Sequence, residues 1–353
     1  MKIAIVTDTH WGVRNDSPAF ADFFNKFYSN VFFPYLDEHN IKTVFHLGDI
    51  VERRKYINFT SSNRMHQDFI VPLAVRGIES YLVVGNHDTY YKNTNEINAL
   101  DQLYGGRPVG NMTIVEDPTE FEFDGCKIVL MPWMCQDNMQ RAIDLISNTR
   151  AEILMGHLEL AGFEMYKGNV IDHGMDSSIF SKFDVVCSGH YHHKSSRGNI
   201  HYLGCPYEIT WSDYGDPKGF HIFDTETREL TFIQNPYNMF NKVHYDDSSG
   251  MAVGDIPDFE HLKDTYVKVI VHSKTNPYMF DLFIDKLEKA DPMNIHVVDD
   301  NLYLNLEDDE DIVNEAEDTL SILRKFVDNV EMQADKTQVE KFLSDLYAEA
   351  SSV

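Results

Sequence analysis

SYLVVGNHD, residues 80–88, decides how the rest of the chain is read. Five residues suited to a buried strand run straight into a glycine, an amide, an imidazole and a carboxylate. In open α/β sheets, ligands bind beyond the carboxyl ends of strands, so a polar cluster at such an end can reach a ligand without disturbing the core. The same grammar recurs in KIAIVTDTH (2–10), KTVFHLGD (42–49), AEILMGH (151–157) and FDVVCSGHYHH (183–193). Between the first two strands, Phe20, Phe23, Phe24, Phe27, Val31 and Leu36 recur at three- and four-residue steps. That spacing predicts a helix from Pro18 to about His39, with Pro18 in its first turn and Ser17 as its cap. A second helix spans 60–76, starting from Thr60, Ser61 or Ser62. Strand–helix–strand–helix–strand predicts an α/β layered fold with crossover helices.

Further along come a helix near 94–104, a hairpin over 119–131 around Asp124-Gly125, a helix near 138–148 and short strands to about 234. The whole predicts a two-sheet αββα sandwich over residues 1–240. Residues 241–305 read as a small module with strands at 265–272 and 294–304 around a helix at 278–289. Residues 306–353 open with the acidic run Glu307–Asp311, a solvated linker, followed by helices near 312–331 and 336–350. Their apolar stripes include Leu320, Leu323 and Val327, then Leu343 and Leu346.

Composition narrows the function. A hydrophobic content of 43% suits a globular core, and no apolar run reaches the roughly 18 residues of a membrane span. Four cysteines without a CxxC pair fit a reducing cytoplasm and exclude a zinc knuckle. The start, with one lysine before a charged turn, does not read as a signal peptide. The formal charge is −27, with 26 Asp/Glu against 10 Lys/Arg in residues 241–353 and 31 against 20 in residues 1–240. Nucleic-acid affinity rests largely on Lys and Arg at phosphates, so the chain alone is expected to bind DNA weakly and to rely on a partner's basic surface.

The strand-end donors Asp8, His10, Asp49, Asn86, His157, His190 and His192 are carboxylate, amide and imidazole without thiolate. That set favours Mn²⁺, Fe²⁺, Mg²⁺ or Zn²⁺. Seven donors exceed what one tetrahedral ion needs, and a carboxylate can bridge two ions about 3.5–4 Å apart, the arrangement that cleaves phosphoesters.

Asp8-x-His10, Gly48-Asp49, Gly85-Asn86-His87-Asp88, Gly156-His157 and Gly189-His190-x-His192 together resemble the five motifs of the calcineurin-like metallophosphoesterases. Within these the match is to the SbcD-type DNA double-strand-break repair nuclease subunits, the T-even phage recombination endonuclease subunit included. The resemblance spans about residues 1–210. It implies an αββα metallophosphoesterase sandwich, a small α+β capping domain (241–305) and C-terminal helices that bind a partner (306–353).

The activity implied is DNA exo/endonuclease cleavage with two divalent ions, Mn²⁺ first and Mg²⁺ as the alternative. Asp8, His10 and His192 would hold one ion, Asn86, His157 and His190 the other, with Asp49 bridging. His87 would be the general acid, with Asp88 capping the next helix or orienting His87. The implied partners are DNA, an SbcC-type coiled-coil ABC ATPase and a second copy of the chain, the last through exposed aromatics of the 18–39 and 60–76 helices.

Glu52 departs from the pattern, standing where such nucleases commonly carry a second phosphate-facing histidine; Arg53 or Arg54 could supply the missing cation. His46 reads as a core histidine and His193 as solvent-facing. A small-molecule phosphodiesterase or a protein phosphatase is the alternative, but the latter typically shows Gly-Asn-His-Glu and Asp-Arg-Gly. A non-catalytic scaffold would be free to lose donors that this chain keeps.

Overall fold

The computed structural model describes residues 1–299 and, beyond them, Lys336 and Val339, both helical. The first of two six-stranded sheets runs β14 (Leu230–Gln234), β13 (Gly219–Asp224), β1 (Lys2–Val6), β2 (Thr43–His46), β3 (Glu79–Val83) and β4 (Asn111–Val115). Its strands β1 to β4 are parallel, and β13 is antiparallel to both its neighbours. The second runs β11 (Ser195–Arg197), β12 (Ile200–Tyr202), β10 (Val185–Gly189), β7 (Ile153–His157), β6 (Cys126–Met131) and β5 (Thr119–Phe123). Here β6, β7, β10 and β12 are parallel, so the strand ends that carry the polar motifs leave each sheet in one direction.

Alternation along the strands builds the layers. Ile3, Ile5, Phe45 and Val83 from the first sheet share one buried cluster with Ile128, Leu130, Ile153 and Met155 from the second. The residues between them, Ala4, Val6, Val44 and Leu82, face the helices outside the first sheet, where Phe24, Phe27, Phe32 and Phe69 lie. On the far side, Val129, Leu154 and Val186 meet Ala142 and Ile146 of the helix Met139–Asn148. The order is helix, sheet, sheet, helix.

Asp124 and Gly125 both take positive φ between β5 and β6, the left-handed pair that a two-residue hairpin turn requires. The first long helix runs Pro18–Phe27, a π turn Tyr28–Phe32, then Phe33–Glu38. The second runs Phe59–Met65, a π turn His66–Ile70, then Val71–Val75. Each π turn precedes a proline, Pro34 or Pro72. A proline gives no N–H to the carbonyl four residues back and crowds it, and the extra residue of the π turn makes room.

Local expectations shift in several places. Ser17 stands at the N-cap without a side-chain cap, whereas Asn58 accepts from Thr60 N at 2.8 Å and starts the second helix at Phe59. The helix expected over 94–104 begins only at Ala99, because Asn95 uses its amide to tie Glu116 O and Trp133 O together. The phenylalanines of the first helix and Tyr28 are buried and Tyr35 is half-buried, so they are not the exposed aromatics expected there; Phe59, 93% exposed, does lie open on the second.

Residues 240–299 carry a parallel sheet, β15 (Phe240–Asp246), β16 (Tyr266–Ser273) and β17 (Asn294–Asp299), with the helix Pro277–Glu288 between the last two. The sequence reading places the helix and the later strands but misses β15. A two-stranded hairpin, β8 (Glu164–Tyr166) and β9 (Asn169–Val170), projects after β7. Of the expected helices over 312–331 and 336–350, only Lys336 and Val339 fall among the described residues; the rest, and the acidic run before them, lie outside these. Among the described residues no helix is long and apolar enough to cross a membrane.

Candidate metal centre

The chain leaving β1 runs beside the chain leaving β2: Asp8 N donates to Gly48 O (3.0 Å), His10 N to Asp49 O (3.1 Å) and Trp11 N to Ile50 O (2.9 Å). Asp8, His10, Asp49 and His190 all have φ between 45° and 85°, a region side chains rarely enter. Such strain persists where surrounding contacts over-determine it, and it gathers at functional sites. Two glycines allow the loops to close up. A Cβ on Gly85 would collide with the amide nitrogen and Oδ1 of Asp49, and one on Gly189 with Thr7 Oγ1 and Asp8 Oδ2.

All eight residues singled out in the sequence come together on this rim. Potential ligand atoms of Asp8, His10 and His192 lie within 4.8 Å of one another, as do those of Asp49, His157 and His190. His10 and His192 aim their Nε2 atoms at each other across 3.1 Å. His157 Nδ1 lies 2.7 Å from Leu47 O, so it donates there, and Nε2 faces Asn86 Oδ1 (2.9 Å) and Asp49 Oδ2 (3.2 Å). Asp49 Oδ1 accepts from His87 N (2.8 Å) and Asp8 Oδ1 from His190 N (3.0 Å).

Burial raises the Asp8 carboxyl, and the charge of Asp49 adds to the rise. It would raise Asp49 as well, but the imidazoles of His157 and His87 outweigh it and hold that carboxyl well below its usual range. For His157, burial is overcome by Asp49 and the pKa rises to about 9. Burial, then His10, keeps His192 neutral far below its usual value.

These residues fit divalent cations. Two imidazole nitrogens face each other across 3.1 Å, and a third faces an amide oxygen and a carboxylate, so a cation could take the place of the shared protons and collect these atoms as ligands. The thiol nearby does not compete: burial pushes Cys205 well above the usual range, and its Sγ lies 3.7 Å from His192 O.

The remaining residues sort differently. His87 Nδ1 donates to Glu52 O at 2.6 Å, and its ring stands edge-on to His10 with centroids 4.9 Å apart. Asp88 neither caps the next helix nor orients His87. Its Oδ1 accepts from Ile50 N and Val51 N and its Oδ2 from Gly85 N, which ties the second and third strand-end loops together. His46 is the buried core histidine expected, 2.9 Å from Thr9 Oγ1, with burial lowering its pKa to about 3. His193 is not solvent-facing: it sits 18% exposed with Nδ1 3.0 Å from Asp216. Arg53 is turned onto Asp16 at 2.6 Å and Arg54 reaches Thr89 Oγ1 at 3.3 Å.

Sequence reasoning missed three supports. The Glu52 carboxylate lies 2.8 Å from His10 Nδ1, and the only signal for it was its departure from the motif. Lys218, almost wholly buried, donates to His192 O (2.8 Å) and pairs with Asp213 (2.7 Å) and Asp216 (2.9 Å). Burial alone would lower its pKa, but Asp213 leads the groups that keep it well above the usual value. Trp133 stacks obliquely beside His190, centroids 5.2 Å apart. Nothing in local pattern announces Lys218 or Trp133, since each becomes relevant only when distant strands meet.

The Calcineurin-like phosphoesterase family model matches residues 1–194. Exonuclease subunit 1 of Enterobacteria phage T4 is 31% identical over 322 residues, 90% of this chain and 90% of that one. The SbcD chain of the SbcCD nuclease of Staphylococcus epidermidis is 27% identical over 225 residues, 57% of this chain and 56% of that one. A solved archaeal phosphodiesterase aligns with 67% of this chain and all of its own, at 16% identity and a TM-score of 0.32, a likeness too slight to carry weight.

Proposed function

The chain belongs to the calcineurin-like phosphoesterases, and from that membership we propose that it is the Mn²⁺-dependent nuclease subunit of a DNA recombination and double-strand-break repair complex. The observation that carries the reading is the convergence of seven donors on one rim with His87 beside them. The names of the relatives, both nuclease subunits, support DNA as substrate and assembly with other chains.

Asp8, His10 and His192 would hold one ion, Asn86, His157 and His190 a second, and Asp49 would bridge them. Bound there, two divalent cations, Mn²⁺ ahead of Mg²⁺, would supply Lewis acidity and water activation. The chain's own residues do the rest. His87 donates its Nδ1–H to the Glu52 carbonyl, which leaves Nε2 to meet the leaving oxygen. As the imidazolium, protonated on both nitrogens, it would pass the Nε2 proton to that oxygen as general acid and be left neutral. Glu52 and Lys218 fix two of the donors from behind, Glu52 at His10 Nδ1 and Lys218 at the His192 carbonyl.

Residues 1–240 would form the nuclease domain and 241–305 the capping domain. Residues 306–353 would be an acidic tether with a segment that docks an SbcC-type coiled-coil ATPase, in a cytoplasmic complex built on a homodimer. The test is digestion of linear duplex DNA, single-stranded DNA and bis-p-nitrophenyl phosphate with and without Mn²⁺. Metal-dependent cleavage of DNA is expected. Cleavage of the small ester alone would move the assignment to a small-molecule phosphodiesterase.

A further inference from the structure

Beside His190 lies a cavity of about 280 Å³ that none of the proposed ligands uses, walled by Trp133, Met134, Met139, Leu160, Met175 and Glu159. We propose that this cavity takes one unpaired nucleobase of the DNA next to the bond being cut. The proposal rests on the nuclease reading above.

Position comes first. The Trp133 ring is 5.2 Å from that of His190 and 6.1 Å from that of His157, and Glu159 Oε1 is 3.8 Å from His190 Nε2. The cavity therefore shares two walls with the proposed metal centre. A phosphodiester seated there carries its nearest sugar and base within one nucleotide's reach of the cavity.

The cavity is also built in advance. Residues 161–175 fold back so that Met175 N donates to Glu159 O (2.9 Å) and Ala161 N to Met175 O (3.1 Å). Gly174 makes the turn at φ +108°, where a Cβ would press on Glu159 O.

Chemistry selects the occupant. A tryptophan face and three thioethers are polarisable surfaces suited to the flat π-face of a base. The volume is below that of pockets for drug-sized ligands, which suits a single heterocycle. The carboxylate of Glu159 in the cavity wall offers an acceptor for an exocyclic amine. Stacking needs no positive charge, and a chain of net charge −27 has little to spend on phosphates. A base inside a duplex cannot reach such a cavity, whereas an unpaired one can.

The test uses the full chain with Mn²⁺ and single strands in which the residues flanking one linkage are either normal or abasic. The intact linkage should be cut with about tenfold higher kcat/KM, within the range base–aromatic stacking gives. Met175→Trp, which fills the cavity, should erase that preference and leave bis-p-nitrophenyl phosphate hydrolysis within about twofold of wild type. Equal cutting of both strands by wild type overturns the proposal, as does a preference that survives Met175→Trp. If that variant also slows the small ester, the wild-type comparison and Met139→Phe decide by the same criteria. Hydrolysis of the small ester with no cutting of either strand would count against the nuclease reading instead.

Discussion

The rim of the double sheet and the small sheet of residues 240–299 bury polar groups in opposite ways. In the small sheet, the core of Tyr245, Phe259, Val267, Val269, Phe283 and Leu287 is apolar. Its buried acid, Asp247, accepts from Tyr245 Oη, Thr275 N, Thr275 Oγ1 and Asn276 N. Every partner there is a donor, so the group is satisfied and stabilising. On the rim, buried like groups are crowded together, Asp8 with Asp49 and His10 with His192, and four of the residues stand on strained backbone. Like groups kept together at such a cost mark function, whereas the small sheet is arranged for stability.

The comparison breaks if a rim substitution behaves like a core one, or the reverse. The largest expected effect is His87→Asn, which should lower the cleavage rate by about 10²–10⁴-fold while Mn²⁺ content stays at the wild-type level. A metal-depleted variant would mean that His87 is a ligand and not the acid. Lys218→Met comes next. Removing the ammonium that grips the His192 carbonyl should weaken Mn²⁺ binding about 10–100-fold, the usual range for groups that hold a ligand from behind. Unchanged affinity by calorimetry in the folded variant would reduce Lys218 to a structural ion pair.

Phe283→Ala should do the converse. Phe283 is fully buried, with the rings of Tyr245 and Phe259 each 5.1 Å away, so truncation should cost about 3–5 kcal/mol in denaturant unfolding. Hydrolysis of bis-p-nitrophenyl phosphate by the folded fraction should be unaltered; a lost rate would tie the small sheet to the chemistry.

The smallest effect lies at the junction of the two regions. Glu208 Oε2 accepts from Met239 N and Phe240 N where β15 begins, and burial raises its carboxyl to about 7. The folded state therefore holds this proton more tightly than the unfolded chain. The stabilisation is fully present below the ordinary value near 4.5 and is lost as pH rises through about 7. Glu208→Gln should flatten that part of the Tm–pH curve; an identical slope in both proteins would remove Glu208 as its source.

The same contrast explains what was legible in the sequence. Strand ends announce themselves, because an apolar run stopping at Gly-Asp, Gly-Asn-His or Gly-His is a local pattern. The sandwich and the eight residues that meet on its rim followed from it. Asp88 was misread because its partners, Ile50 and Val51, lie on another strand's loop and no local rule links them. Lys218 and Trp133 escaped for the same reason. The π turns were invisible to helical periodicity, since one inserted residue shifts the stripe only slightly, although Pro34 and Pro72 marked them. β15 was missed because Asn241, Lys242 and His244 interrupt its apolar residues, which reads as a polar connection.

The central proposal is that the rim would hold two ions, each drawing donors from both sheets, with Asp49 between them. Equilibrium dialysis of metal-free protein against Mn²⁺ tests it directly, with wild type, His192→Ala and Asn86→Ala side by side. The account predicts two ions bound by wild type and one by each variant. A single ion in wild type, or two retained in both variants, would contradict it.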